Sequence, residues 1–336
     1  MARELASVKR IKEINPIEGA TNIVRATIEG FDVVVRKDEF KVNDLCLYCE
    51  TDSILPKNTD FAFLEGKPIK IKKLRGVYSY GIAFPLSVLD KYSDGKKFEE
   101  GDDVTDLLGV TKKMDEVIPL NNNSKKNPFP SWIPKTDETR FQNIIDILGE
   151  YEGVPCIVTE KLDGSSTTHW LDNNGKYHIA TRNQEVLDET SVYYRAGIDN
   201  NIPELLKNLP EGSVVQGELI GPGVQKNIYK LDKHEIYMFN LRLDKGYIDA
   251  DKTLEMLKQA GFKTVPVVHD VYKLIPDKDE LLNLSMGKSK LNNKQHREGI
   301  VIRSTKLIKV NRGLCYFVDG RLSFKVINPK YELALK

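Results

Sequence analysis

The sequence predicts an α+β protein of two domains, and three observations carry that expectation. Its 336 residues exceed what one core usually serves. The front third is a succession of short β-prone runs separated by turns. Beyond a stretch between Lys112 and Pro134 that is rich in Asn, Lys and Pro and has little periodicity, strands alternate with segments of helical period. The expected division is 1–110, a linker at 111–130, and 131–336.

In the front part the β-prone runs are Leu5–Ile14, Ile23–Ile28, Phe31–Arg36, Leu45–Glu50, Ile69–Leu74 and Gly81–Leu86, and Glu29-Gly30 joins two of them as a hairpin turn would. Short strands in this number fit a small Greek-key barrel of the OB type, a form that commonly binds single strands or duplex ends. Lys67, Lys70, Lys72, Lys73 and Arg75 interleave with Ile69, Ile71 and Leu74. Alternation places Lys70 and Lys72 on one face and the isoleucines on the other. Such a strand either contacts phosphate or guards a solvated edge.

The formal net charge is +1, so no global basic field is present and any nucleic-acid surface is a local patch. Cys46, Cys49, Cys156 and Cys315 form no disulfide framework, and no signal peptide or long apolar segment is legible. A reducing, cytoplasmic setting without membrane attachment is expected. Cys46 and Cys49 have the spacing of half a zinc site, but no second Cys or His pair accompanies them, and they fit a strand with apolar cysteines. The five histidines form no ligand pattern.

The chemistry centres on Thr159-Glu160-Lys161-Leu162-Asp163-Gly164-Ser165-Ser166. Lys161 ends the β-prone run Val154–Val158, and Thr167, Thr168 and Trp170 resume a strand before a turn at Asp172-Asn173-Asn174-Gly175, which places Lys161 at the edge of a hairpin. A lysine amine attacks an electrophile only when neutral. Asp163 favours the ammonium form, so the pair suits nucleophilic chemistry only if a divalent cation joins the site and reverses the local field. Lys-x-Asp-Gly alone is weak, since average residue frequencies give roughly one chance occurrence per ten such chains.

The remaining elements follow in order. Pro134-Lys135-Thr136-Asp137-Glu138-Thr139-Arg140 leads into an amphipathic helix through Phe141, Ile144, Ile145 and Leu148, with Thr136 or Asp137 as cap. Ala180-Thr181-Arg182-Asn183-Gln184 closes a strand, Val192–Leu209 is mostly helical, and Ser213–Leu219 is a strand ending in Gly217-Glu218. The turn from Gly221 to Asn227 lacks P-loop spacing. Ile236–Leu243 is a strand carrying Phe239; Asp249 caps a helix through Leu257 that ends near Gly261. Lys278–Met286 is a short helix, Arg297–Arg303 a strand opening on Glu298, and Leu322–Ile327 the last strand.

Five pieces thus stand in a fixed order: Lys161-Leu162-Asp163-Gly164, Thr181-Arg182-Asn183, Gly217-Glu218, Arg297-Glu298-Gly299 and Ser323-Phe324-Lys325. Together they resemble the covalent nucleotidyltransferase superfamily of ligases and capping enzymes. Most DNA ligases and capping enzymes of that superfamily carry their OB domain after the last motif, whereas here the barrel precedes it and Lys336 leaves no room for one behind. With Leu74-Arg75-Gly76 and Ser79-Tyr80-Gly81 in the barrel, the chain looks like the fifth RNA ligase family, typified by a Deinococcus enzyme, over essentially its whole length. Pro134-Lys135-Thr136-Asp137-Glu138 with Arg140, and Gly217-Glu218-Leu219-Ile220-Gly221-Pro222-Gly223, are especially like RNA ligases.

The resemblance implies an OB-type β-barrel followed by an adenylyltransferase domain of antiparallel sheets with flanking helices. It implies an ATP-dependent RNA ligase, monomeric, acting on nicked duplex nucleic acid with an RNA 3'-OH strand. Lys161 would carry AMP. Asp163, Glu218 and Glu298 would hold Mg²⁺ or Mn²⁺ through metal-bound waters, Lys325 would contact the α-phosphate, and Phe239 would stack on adenine. Glu160 would contact the adenine edge, Arg140 phosphate or the nucleic-acid end, and Arg182 the nucleotide sugar or the acceptor end. Many relatives have a second lysine in the final motif; here Ser323 and Ile327 flank Lys325 at that spacing, leaving Arg303, Lys306 and Lys309 as substitutes. A DNA-end ligase of the same superfamily is the alternative. A non-catalytic nucleic-acid-binding protein on this fold is a further one, against which the retained acids Asp163, Glu218 and Glu298 argue. An NAD-using ligase is disfavoured because Met1 to Glu100 reads as a barrel.

Overall fold

A computed structural model describes residues 4–93, 95–112, 126–311, 313 and 316–334. Its contacts divide into two units, Met1–Met114 with Glu332–Lys336, and Asp115–Tyr331.

The first unit contains β1 (Ala6–Arg10), β2 (Glu13–Pro16), β3 (Ile23–Ile28), β4 (Phe31–Arg36), β5 (Leu45–Cys49), β6 (Ser53–Ile54), β7 (Lys72–Leu74), β8 (Val77–Ser79), β9 (Ile82–Pro85), α1 (Thr105–Leu108) and β10 (Thr111–Lys112). Antiparallel ladders run β1-β5-β9 and β2-β3-β4, with β7-β8 and β10-β6 as separate pairs. Alternation along β4 buries Phe31, Val33 and Val35; the two valines pack with Ile11, Ile28 and Tyr48, and the Phe31 ring meets that of Tyr80 edge-on. The second cluster gathers Val8, Leu47, Cys49, Leu55, Phe61 and Leu89. Cys46 and Cys49, three residues apart on one strand, fall in different clusters and face opposite ways; burial pushes the Cys46 thiol up to about 12.

The run Ile69–Leu74 becomes a strand only from Lys72. The backbone groups of Ile69 are spent elsewhere, its N–H on Ser53 O and its carbonyl on Asp52 N–H, each at 2.8 Å. The alternation itself holds, with Ile69 and Ile71 buried and Lys70 and Lys72 exposed.

The second unit contains β11 (Lys126–Pro128), α2 (Ile145–Leu148), β12 (Pro155–Lys161), β13 (Ser165–Leu171), β14 (Tyr177–Thr181), β15 (Gln184–Val186), α3 (Val192–Asp199), α4 (Ile202–Leu206), β16 (Val214–Ile220), β17 (Glu235–Leu243) and β18 (Gly246–Tyr247). It continues with α5 (Ala250–Gln259), β19 (Val267–Lys273), α6 (Lys278–Ser285), β20 (Gly299–Ser304) and β21 (Ser323–Ile327), and the division between the units falls within α7 (Pro329–Ala334), after Tyr331. One sheet has the order β11-β15-β14-β13-β16-β17-β18 and the other β19-β12-β20-β21. Their ladders are antiparallel, and α3, α4 and α5 pack on the larger sheet around Tyr193, Leu206, Met238 and Leu257.

Three local readings are corrected. Lys161 is not in a hairpin: β12 pairs with β19 and β20, β13 pairs with β14 and β16, and the chain crosses between sheets over Leu162-Asp163-Gly164. The helix expected after Arg140 is broken into a 3₁₀ turn at Phe141–Asn143 and the single turn of α2, without a side-chain cap, because the Thr136 and Asp137 side chains are bonded to distant residues. Asp249 precedes α5 but spends its carboxylate on Leu307 N–H at 2.8 Å rather than on a cap. At the expected linker, Asn121 to Lys125 lie outside the described residues, and Lys126–Pro128 pairs with β15 as an edge strand, where a proline is tolerated. Among the described residues no helix is long and apolar enough to cross a membrane.

Candidate active site

The smaller sheet sets the site by register. Lys161 lies opposite Gly299, Thr159 opposite Val301, and Ile157 opposite Arg303; Val301 in turn faces Lys325, and Arg303 faces Ser323. Paired residues share a face, so Lys161, Thr159, Arg303 and Lys325 line one side of the sheet. Opposite Lys161, Gly299 has no room for a side chain. A Cβ there would enter the Val326 carbonyl and come within 3.0 Å of Ile327 Cα, so the glycine also lets β20 and β21 close up.

Lys161 Nζ donates to Glu298 Oε1 at 2.7 Å. Burial pushes the Glu298 carboxyl up from an ordinary 4.5 to about 7; Lys161 opposes the shift and Asp163 adds to it. Asp163 follows at the crossing, where its backbone N–H donates to Tyr229 Oη at 2.6 Å. Tyr229 and Tyr331 stand against these acids, and burial first, then Glu298 and Asp163, push both phenols up. Gly164 brings the crossing against β16: an added Cβ would enter the Leu219 carbonyl and sit 2.7 Å from Ile220 Cγ2 and 2.8 Å from Glu218 Cγ. Glu218 is thereby packed beside the segment that carries Lys161 and Asp163.

A second group surrounds Lys325. Its Nζ lies 3.4 Å from Asp137 Oδ1, while Asp137 Oδ2 takes Arg182 Nη2 at 2.7 Å. Lys325 N–H donates to Thr139 O at 2.8 Å, and Arg140, itself buried, bridges to Lys325 in parallel. The sequence string around Asp137 was legible, but its role was not: what reads as a helix cap is the link between Lys325 and Arg182.

Glu160 faces away from Lys161 by alternation. Its Oε2 accepts Lys290 N–H at 2.8 Å, while Oε1 is buried with no hydrogen-bond partner among the described residues, and burial pushes the carboxyl up. Phe239 lies on β17 against Leu162, Val265 and Tyr229, with the Arg303 guanidinium 5.6 Å from its ring centre, and it shares a pocket with Ile157, Thr159 and Arg303. It is the extra residue of a bulge, since Met238 pairs with Gly217 and Asn240 with Gln216. Of the three substitutes for a second lysine, Lys306 is drawn to Asp251 at 2.7 Å and Lys309 to Asp319 at 3.1 Å; Arg303 alone shares the Lys325 face.

Among the described residues, no group of three or more His, Cys, Asp and Glu side chains is arranged to hold a metal ion directly. Asp163, Glu218 and Glu298 nonetheless suit a hard cation held through water. They offer only carboxylate oxygens, and Glu298 Oε2 is buried with no hydrogen-bond partner among the described residues.

A lysine and carboxylates gathered where two antiparallel sheets meet define a nucleotidyltransferase domain. The RNA ligase family profile matches residues 154–327, and that of an OB-fold domain matches residues 5–86. The chain belongs to the RNA ligase family. It is similar over 99% of both chains to Naegleria gruberi RNA ligase with PPi, at 30% identity and a TM-score of 0.83. Variants of that enzyme with ATP and Mn, and with AMP and Mn, match at 30% identity and TM-scores of 0.84, again over 99% of both chains. A search among curated proteins returned no match.

Proposed function

We propose that the protein is an ATP-dependent RNA ligase that seals 3'-OH/5'-phosphate nicks in duplexes whose 3'-OH strand ends in RNA. The observation that carries this reading is the 2.7 Å contact between Lys161 Nζ and Glu298 Oε1, at the junction where Asp163 and Glu218 converge, in a chain of the RNA ligase family. The solved Naegleria structures with ATP, AMP, PPi and Mn supply the nucleotide, the leaving group and the cation. The front OB-fold unit supports the fifth-family type, with residues 1–110 serving nucleic acid, 111–130 as linker and 131–336 catalysing.

The reaction runs in three phosphoryl transfers. Lys161 Nζ, having lost a proton, attacks the α-phosphorus of ATP; the N–P bond forms and pyrophosphate leaves. An oxygen of a 5'-phosphate then attacks the same phosphorus, forming the 5'-to-5' anhydride and releasing the lysine amine. Finally the 3'-hydroxyl attacks the activated 5'-phosphorus and expels AMP. Each step needs in-line placement and neutralisation of developing charge. Asp163, Glu218 and Glu298 would hold Mg²⁺ or Mn²⁺ through its waters, and the cation would supply positive charge that favours the neutral amine. Lys325 contacts the α-phosphate, Arg140 and Arg182 bind phosphate, sugar or strand end, Phe239 stacks on adenine and Glu160 meets its edge.

The test is incubation with α-labelled ATP and either metal. Acid-stable, covalent AMP is expected on the wild type and not on Lys161→Ala; no label with either metal defeats the catalytic reading. Equal sealing of nicks with ribose and deoxyribose 3' ends would remove the RNA preference.

A further inference from the structure

A ring of buried polar side chains starts from Arg303, on the face that carries Lys161 and Lys325. Glu138 is 7% exposed, and its Oε1 takes Arg303 Nη2 at 3.0 Å and Arg321 Nη2 at 3.3 Å. Arg303 stands on β20 and Arg321 just before β21, and both are buried. Arg321 Nη2 also reaches Asn240 Oδ1 at 3.1 Å, Asn240 Nδ2 donates to Gln216 Oε1 at 3.0 Å, and Gln216 Nε2 donates to Pro134 O at 3.0 Å. The ring therefore leaves the segment 134–140 at Glu138, crosses both sheets and returns to the same segment at Pro134.

This arrangement is costly unless it orders something. Two guanidiniums and one carboxylate out of water are repaid only by close geometry, and apolar residues of the same volume often serve stability as well. Burial pushes the Glu138 carboxyl up, but Arg303 and Arg321 outweigh it and hold the group ionised below its ordinary range. What the ring orders is a short segment with no helix or full ladder of its own: Thr139 O and Arg140 meet the backbone of Lys325, and Asp137 meets its side chain.

We propose that Glu138 is a positioning residue: gripped by Arg303 and Arg321, it holds the 134–140 segment against β21 so that Asp137 sets the Lys325 ammonium for the α-phosphate. The proposal rests on the lysyl-AMP reading and deepens it. Glu138 is bonded to Arg303 and Arg321 and acts through its neighbour Asp137, whose carboxylate meets Lys325.

The experiment is a double-mutant cycle on full-length protein, measuring kcat and KM for ATP in formation of covalent AMP, with melting temperature as a check on folding. Glu138→Gln and Asp137→Asn are each expected to lower kcat about tenfold with little change in KM, because Lys325 is needed where charge develops. The double variant is expected to be no slower than the slower single one, since neighbours acting through one contact are not additive. Multiplying losses, or a loss seen only as a smaller folded fraction, would overturn the proposal. Should Glu138→Gln fail to fold, Arg321→Lys, which keeps the charge and the Glu138–Arg303 pair, carries the same cycle with the same two readings. Labelled wild type beside unlabelled Lys161→Ala shows that the enzymatic reading stands whichever way the cycle falls; an unlabelled wild type overturns both.

Discussion

Glu298 Oε1 accepts a hydrogen bond from Lys161 Nζ at 2.7 Å, across the first rung of the ladder between β12 and β20. Burial leads the displacement of its carboxyl from 4.5 to about 7, and Lys161 only partly offsets it. Because the folded value is raised, the folded state retains a proton that the unfolded chain gives up earlier. The stability this group contributes is full below about pH 4.5 and is lost as pH rises through about 7. Without divalent metal, the melting temperature of the wild type should therefore fall between pH 5 and 8 relative to Glu298→Gln. Thermal melts of both proteins across that range check it; parallel curves would refute the shift.

Gly164→Ala should destabilise the protein by about 1–3 kcal/mol, the usual range for forced overpacking. Its Cβ meets the Leu219 carbonyl, a backbone atom that cannot turn aside. Displacing β16 also moves Glu218, so covalent AMP formation per folded molecule should drop along with denaturant stability. An unchanged unfolding midpoint would show that the sheets do not meet this closely.

Phe239→Ala should raise KM for ATP about tenfold, as expected when a base loses a stacking partner worth about 1–3 kcal/mol. Phe239→Tyr should restore it. If ordinary packing against Leu162 and Val265 is its whole role, Ala would lower the melting temperature and leave KM unchanged.

Lys70 and Lys72 are exposed on the face opposite two buried isoleucines. Changing both to Ala should flatten the slope of log affinity against log salt by about 1.4–1.8 in binding to nicked duplex, since each neutralised phosphate contributes ~0.7–0.9. An unaltered slope would make them guards of the edge.

The order of chemical groups was legible because the strands that carry them are long, β-prone and end where charge begins. Lys161 ends β12 and Lys325 stands on β21, as the sequence has them; Glu218, expected at a strand end, lies within β16, and Glu298 immediately precedes β20. What was not legible is tertiary. Nothing local tells that β12 and β13 belong to different sheets, because the short turn-like Leu162-Asp163-Gly164 connection is equally compatible with a hairpin. Asp137 and Glu138 have the chemistry of a helix start, and only partners about 45 to 190 residues away, Arg182, Arg303, Arg321 and Lys325, give them another use. The strand β19 escaped notice because His269, Asp270 and Lys273 interrupt its apolar run, as suits an exposed edge.

The bulge in β17 makes Phe239 a separable part. Ile236, Met238 and Leu241 all point into the same core, a spacing of two and then three, so Phe239 is the one residue by which the strand exceeds regular alternation. Excising it would bring Leu241 two places after Met238 and heal the ladder, keeping every inward side chain inward. A single-codon deletion thus offers a cleaner knockout of the ring than any substitution, with the scaffold made more regular rather than less.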